Sequence, residues 1–267
     1  MTKDTQISMA DNFDNEVSII GTGRVAISLI HELRTKGVKV NEIYGRSLAQ
    51  AKKLSDHTPG TSATGSLDFS NSRSRVLIIA ISDDAISHIS EKILCSKDQI
   101  IAHTSGTVSL NVLKHSHSGI FYPLQTFTTG KMVDFEEVPI LIDGKNEIAI
   151  DQLTKLGNVL SSNVKIASEA ERKQLHVAAV FASNFTNRML SAAEDILKDS
   201  SIDLKTLEPL ILESIRNALD SGPDNALTGP AKRGDTETIE KHLNLLKDKK
   251  QLQSIYGKIT ELIISKI

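Results

Sequence analysis

The chain has 267 residues, of which 31 are Lys or Arg and 33 are Asp or Glu, for a formal net charge of -2. That length is enough for one large domain or two modest ones with real cores, and the near-neutral balance signals no basic face for a nucleic acid. The single cysteine, Cys95, can form no internal disulfide and has no companion for a zinc motif, and no apolar run approaches the roughly 18 residues needed to span a bilayer. Composition therefore predicts a protein of a reducing compartment, the cytoplasm, with neither membrane nor nucleic acid as partner.

Residues 1–15 are polar, lack an apolar signal core and read as a disordered tail. An apolar strand follows, Val17-Ser18-Ile19-Ile20, and runs straight into Gly21-Thr22-Gly23-Arg24-Val25-Ala26 and a helix over about 25–36. This GxGxxA turn is a pyrophosphate-binding signature. The first glycine permits the tight turn, the second lets backbone approach phosphate, and the alanine allows close packing of helix on strand. The helix then aims its free N–H groups and positive dipole end at the anion. Glycine pairs also make ordinary turns, so the signature depends on its context.

A second strand, Val40 to Tyr44, ends about 20 residues on, where a dinucleotide fold meets the adenosine ribose. An NAD-selective site places an acid there, but this chain has Tyr44-Gly45-Arg46-Ser47. Arg46 and Ser47 suit the 2′-phosphate of NADP; the plainer reading is a solvated arginine, with Ser47 capping a helix over 48–55. The run over 75–81 reads as a strand buried on both faces, the fourth of its sheet, and leads through Ile81, Ser82 and Asp83 into a helix predicted to reach about Leu94. Cys95 is expected as a small buried side chain on that helix or its edge. Further strands are predicted at 99–102, ending in His103-Thr104-Ser105-Gly106, and at 120–122, 139–142 and 164–166. Strands alternating with helices imply a parallel doubly wound sheet, with ligand at the carboxyl ends where the loops at Gly21, Arg46, Ser82 and His103 converge. Gly21, Thr22, Gly23, Arg24, Val25, Arg46, Ser47, Ile81, Ser82 and Asp83 are accordingly the candidate cofactor residues.

Beyond about residue 165 the pattern turns helical, which divides the chain into a nucleotide domain over 16–166 and a helical domain over 167–267. Ser168-Glu169-Ala170-Glu171 is a capping box, and the helix it opens meets no breaker until about Lys198. Its apolar residues, among them Leu175, Val177, Phe181 and Phe185, form a face too broad for a small domain, so a partner subunit is expected to cover part of it. Pro209 begins or kinks the next helix, Asp235 caps another, and Leu252 to Ile263 carries a helical stripe.

At 100° per residue His176, Ser183 and Asn187 share a narrow sector of the long helix with Asn184 on its flank, a stripe that could line a substrate cleft or simply face solvent. His103 could donate a proton or orient a carbonyl, or serve as a capping or core histidine. Ser105 continues its loop. Tyr122-Pro123-Leu124-Gln125-Thr126 could present Gln125 and Thr126 to the same space, with Pro123 shaping a turn. Arg233 could clamp a carboxylate or support its turn. His115 and His117 lack companions for a metal.

The glycine loop, the His103–Gly106 loop, Phe121-Tyr122-Pro123-Leu124-Gln125-Thr126-Phe127, Leu175-His176-Val177 with Asn184 and Asn187, and Thr228-Gly229-Pro230-Ala231 with Arg233 and Asp235 together resemble the Rossmann-like proteins that carry a DUF2520 helical domain. Members of that group are described provisionally as NADP oxidoreductases and are similar in architecture to ketopantoate reductase, pyrroline-5-carboxylate reductase and F420-dependent NADP reductase. The resemblance covers nearly all of the chain after the tail. It implies an α/β Rossmann-type sheet followed by an all-α domain like the C-terminal part of 6-phosphogluconate dehydrogenase, NADP as cofactor, a small-molecule substrate and a homodimer formed through the C-terminal helices. The chain departs from the β-hydroxyacid dehydrogenases, because Lys173 has Val177 and not Asn four residues on. Their lysine-centred chemistry is not carried over. The expected activity is hydride transfer between nicotinamide and a small carbonyl, hydroxyl or imine compound, with His103 or His176 as proton partner and Ser105, Asn184 and Asn187 positioning substrate. A sensor or structural protein that binds NADP without turnover, and an interaction module with a vestigial nucleotide site, are the alternatives.

Overall fold

The computed structural model describes residues 16–266; the tail read at 1–15 lies outside the described residues. By compactness the described residues divide into two units, the first ending at Val180 and the second beginning at Phe181. Eight strands build the sheet of the first unit: β1 (Glu16–Ile20), β2 (Lys39–Tyr44), β3 (Ser62–Thr64), β4 (Val76–Ile79), β5 (Ile100–His103), β6 (Ser118–Pro123), β7 (Ile140–Gly144) and β8 (Val164–Ile166). Their order is β3-β2-β1-β4-β5-β6-β7-β8, so the chain reverses direction across the sheet between β1 and β4. That reversal opens a crevice at the carboxyl ends of the two strands, the place where such sheets bind ligands.

Apolar side chains alternate along the strands to feed two cores. Val17, Ile19, Val76 and Ile78 face the helices α1 (Arg24–Thr35), α2 (Leu48–Asp56) and α4 (Glu147–Leu160), where Leu29, Leu33, Ala51, Leu153 and Leu156 meet them. Ile20, Leu77, Ile79 and Ile101 face α3 (Asp83–Ser90), which contributes Ile86. Helices on both faces explain why β4 is wholly apolar and buried.

Four expectations require correction. The sheet is not all parallel, because β7 runs antiparallel to β6; the connection from Leu124 to Pro139 contains no crossover helix and brings the chain back beside its predecessor. The helix at Asp83 stops at Ser90 and does not reach Leu94. Leu94 instead exchanges backbone hydrogen bonds with Leu67 and Phe69, which draws the chain out of helical geometry, so Cys95 is half-buried in a loop beyond the helix and packs beside the α3-side core. Helix α4 was not among the predicted elements, and the third strand, implied by counting residues 75–81 as the fourth, was not placed; α4 is capped by Asn146, whose side chain accepts from the backbone of Ala149. The long helix is not unbroken: α5 (Glu169–Ala179) passes through a π-helical turn, Val180–Phe185, into α6 (Thr186–Leu197). A π turn adds residues per revolution, so the single 100° wheel that grouped His176 with Ser183 and Asn187 does not hold through it.

The second unit is helical. It comprises α6, α7 (Glu208–Ser221), the short α8 (Pro223–Ala226) and α9 (Pro230–Arg233), α10 (Thr236–Leu245) and α11 (Lys250–Ile264). Pro209 sits in the first turn of α7, and Asp235 caps α10 by accepting from the backbone of Thr238, both as their positions predict. Residues of α6, α9 and α11 with Leu246 line an apolar cavity of about 330 Å3 within this unit. Among the described residues no helix is long and apolar enough to cross a membrane.

Candidate nucleotide and hydride-transfer site

A cavity of about 990 Å3 lies in the crevice between β1 and β4. Its floor is the glycine turn. Gly21 has φ of 141°, and a Cβ there would lie 2.1 Å from the carbonyl oxygen of Ala80, so backbone crosses backbone where no side chain fits. Gly23, the N-cap of α1, has open space where a Cβ would stand, and neither a capping side chain nor an acidic residue occupies the first turn. The N–H groups of that turn and their dipole therefore meet the cavity with no capping or acidic side chain of their own helix against them.

Gly21, Thr22, Gly23, Arg24, Val25, Arg46, Ser47, Ile81 and Ser82 all line this space, nine of the ten predicted cofactor residues. Asp83 does not. Its carboxylate turns the other way and accepts hydroxyl hydrogen bonds from Ser105 at 2.8 Å and Thr107 at 2.7 Å. Ser47 stands at the N-cap of α2 without a side-chain cap bond, which leaves its hydroxyl for a ligand. The sequence reading missed Tyr44, Gln50, His88, Ile89, Lys92 and Phe127 as further lining residues. Helical spacing could have found His88 and Ile89, since they lie one turn from Ala85. Among the described residues the lining holds Arg24, Arg46, His88 and Lys92 but no Asp or Glu, which is an environment for a multiply charged anion.

His103 does not reach that cavity. It ends β5 completely buried, and its Nδ1 accepts from the backbone N–H of Ser105 at 3.2 Å. Burial, aided by the nearby Arg172 guanidinium, pushes its pKa down to about 4. The ring is thus neutral near pH 7 and braces the loop; the convergence predicted for the four strand-end loops holds for three.

His176 is differently placed. Half-buried on α5, it makes a 2.9 Å hydrogen bond through Nδ1 with the hydroxyl of Tyr122 on β6. Gly106, between the buried Ser105 and the exposed Thr107, backs both rings: a Cβ on it would lie 2.6 Å from His176 Nδ1 and 2.8 Å from Tyr122 Cζ. One turn before His176, the wholly buried Arg172 donates to Asp143 on β7 at 3.3 Å and to the carbonyl of Val108 at 3.0 Å. Sequence reasoning missed Tyr122, Arg172 and Asp143 as parts of this cluster. An arginine four residues before a histidine on one helix is a signal, but nothing in one dimension says that its partners lie on β7 and in the Ser105 loop.

Lys173 is exposed and tied to Glu169 at 2.6 Å. Asn184 and Asn187 lie in the second unit, both exposed, and Ser183 is half-buried there. Arg233 is exposed and faces Asp235 at 4.0 Å.

Residues 1–125 match a family described as a Rossmann-like domain, and residues 138–263 match a domain of unknown function, DUF2520. Among solved structures, a protein of Bacteroides fragilis described provisionally as an NADP oxidoreductase is 31% identical with a TM-score of 0.83, the match covering 94% of this chain and 98% of that one. A Thermotoga maritima protein is 21% identical with a TM-score of 0.71, over 92% of this chain and 96% of that one. A reductive aminase from Aspergillus terreus, solved in complex with NADPH and ethyl-5-oxohexanoate, is 12% identical with a TM-score of 0.72 over 94% of each chain. The latter two are similar in fold alone. No curated protein matches the sequence.

Proposed function

Because this chain belongs to the family in which a Rossmann-like domain is joined to a DUF2520 domain, we propose that it is an NADP(H)-dependent oxidoreductase acting on a small carbonyl, hydroxyl or imine compound. The observation that carries this reading is the cavity at the strand reversal, floored by the Gly21–Ala26 turn and lined by four basic side chains without a carboxylate. NADP carries three phosphate groups, and the cavity meets them with charge and with backbone donors. The turn and the amino end of α1 would hold the diphosphate. Arg46 and Ser47, with no acid in the lining to repel the group, would hold the 2′-phosphate. When bound, the cofactor supplies or accepts the hydride.

Of the two histidines that sequence reasoning offers as proton partner, His176 is the one we assign. It is half-buried and hydrogen-bonded on one side, whereas His103 is sealed in the core and held neutral. We assign substrate positioning to Ser105, Asn184 and Asn187. Residues 16–166 are the NADP-binding domain in this reading and 167–267 the helical domain, which serves substrate binding and dimerisation.

Titration of NADPH fluorescence with the purified protein tests the cofactor, and a panel of carbonyl and imine compounds then tests turnover. Saturable binding of NADPH, tighter than that of NADH, followed by its oxidation with a member of the panel is the expected result. Binding without oxidation by any panel member would favour the sensor, and no binding of either nucleotide would leave the interaction module.

A further inference from the structure

The ring that the proposed function uses as proton partner is held by a group that sequence reasoning passed over. Tyr122 lies at the end of β6, paired with Leu141 of β7 in the sheet, and its side chain is buried. A buried tyrosine hydroxyl finds a hydrogen-bond acceptor, because leaving the O–H unpaired costs the desolvation of the group. Nδ1 of His176, 2.9 Å away, is the hydrogen-bond partner it meets among the described residues. Burial also pushes the Tyr122 pKa up to about 12, so the hydroxyl keeps its proton.

We propose that Tyr122 is a positioning residue that fixes the tautomer of His176: its hydroxyl donates to Nδ1, which places the imidazole proton on Nε2, the nitrogen through which the ring meets a ligand. Were the tautomer reversed, Nδ1–H would donate to the phenolic oxygen and the buried O–H of Tyr122 would itself need another acceptor. The geometry is enforced from three sides. Gly106 leaves no room for a Cβ beside the two rings, pairing with Leu141 of β7 fixes the tyrosine in the sheet, and Arg172, one turn earlier on α5, ties the helix to Asp143 and Val108. A ring clamped in this way offers a single donor in a single direction: as Nε2 gives its proton to an alkoxide forming on the substrate, the Tyr122 hydroxyl proton moves to Nδ1, so the imidazole stays neutral and the charge ends on the phenolic oxygen.

The inference rests on the proposed function only for its consequence in turnover; the tautomer itself is a property of the free protein. Long-range proton–nitrogen correlation spectra of the full 15N-labelled chain, with the His176 ring identified by its loss in His176→Gln, read the tautomer directly. The expected spectrum has a protonated Nε2 and an unprotonated, hydrogen-bonded Nδ1, whose resonance moves downfield in Tyr122→Phe. A protonated Nδ1 in the wild-type protein overturns the assignment, and this measurement needs no variant of Tyr122 to fold. An Nδ1 resonance unchanged in a folded Tyr122→Phe protein overturns it as well. If a compound of the panel turns over, Tyr122→Phe is expected to lower kcat about tenfold or more while the Kd for NADPH stays as it was; an unchanged kcat would remove the role in proton delivery even if the tautomer stood. Failure of NADPH to bind would remove the proposed function and leave the tautomer measurement intact.

Discussion

Arg46 stands where the Tyr44–Ser47 loop offers no acid and the cavity offers no negative neighbour among the described residues, so its side chain is the main discriminator between the two nicotinamide nucleotides in the proposed function. It is exposed, and solvent screens part of its attraction for a phosphate. Arg46→Ala is therefore expected to weaken NADPH about tenfold and leave NADH almost unchanged, in line with the worth of one charge-assisted hydrogen bond. Equal losses for both nucleotides in a fluorescence titration would assign the residue to the turn and not to the 2′-phosphate. His103 shows a different consequence of placement. Its folded pKa of about 4 lies below the ordinary 6.5, so between these values the unfolded chain binds a proton that the folded chain refuses. Stability from this group is complete above about pH 6.5 and falls as the pH drops toward 4, by on the order of 3 kcal/mol over the window. Urea denaturation of His103→Gln at pH 7 and pH 4.5 should show a smaller acid loss than the wild type; an equal loss in both would contradict the burial argument.

At the level of elements, the β6–β7 pair and α5 form one assembly whose joint is an ion pair between a wholly buried Arg172 and a half-buried Asp143. Arg172 is wholly enclosed, with Asp143 and the Val108 carbonyl as its partners in charge and hydrogen bonding. Removing one member of a buried pair strands the other, which typically costs about 3 kcal/mol or more. Asp143→Ala should lower the unfolding free energy by about 3 kcal/mol in chemical denaturation, and Arg172→Met added to it should recover part of the loss. Loss of under about 0.5 kcal/mol in the single variant would show that the guanidinium relies on the carbonyl alone. The antiparallel turn of β7 gives this joint its reach, because it returns the chain beside β6 and sets Asp143 opposite Ile120.

For the whole molecule, the second unit presents more apolar surface than an isolated helical body keeps in water. Phe181 is 63% exposed and stacks edge-on against Phe185, while Leu210 and Leu219 are 64% and 81% exposed. We expect a second copy of the chain to cover part of this surface. Sedimentation of the full chain should give a dimer, and Phe181→Glu with Leu219→Glu should shift it toward monomer by burying a charge in the interface. A wild-type protein that sediments as a monomer at micromolar concentration would set this aside and leave the exposed faces to another partner.

Legibility in one dimension followed the range of the forces involved. The strand, glycine turn and helix from Val17 to Thr35 were readable because each depends on neighbours within a few residues: strand apolarity, the positive φ at Gly21, an open N-cap at Gly23. Ser168 with Glu171, Pro209 and Asp235 were readable for the same reason, since a cap bonds within its own turn. Helix α3 was cut short at Ser90 by a backbone bridge to Leu67 and Phe69, the π-helical turn interrupted a helix that its periodicity carried through, and His103 and His176, alike as candidates, were separated by burial. The sequence by itself determined the Gly21–Ala26 turn between strand and helix, the caps at Ser168 and Asp235, and the lack of an acid in the Tyr44–Ser47 loop, all matters of local backbone geometry and charge. Only the tertiary structure decided that Tyr122 meets His176, that Arg172 is paired with Asp143, and that β7 turns antiparallel, because those outcomes depend on which distant groups are brought out of water together.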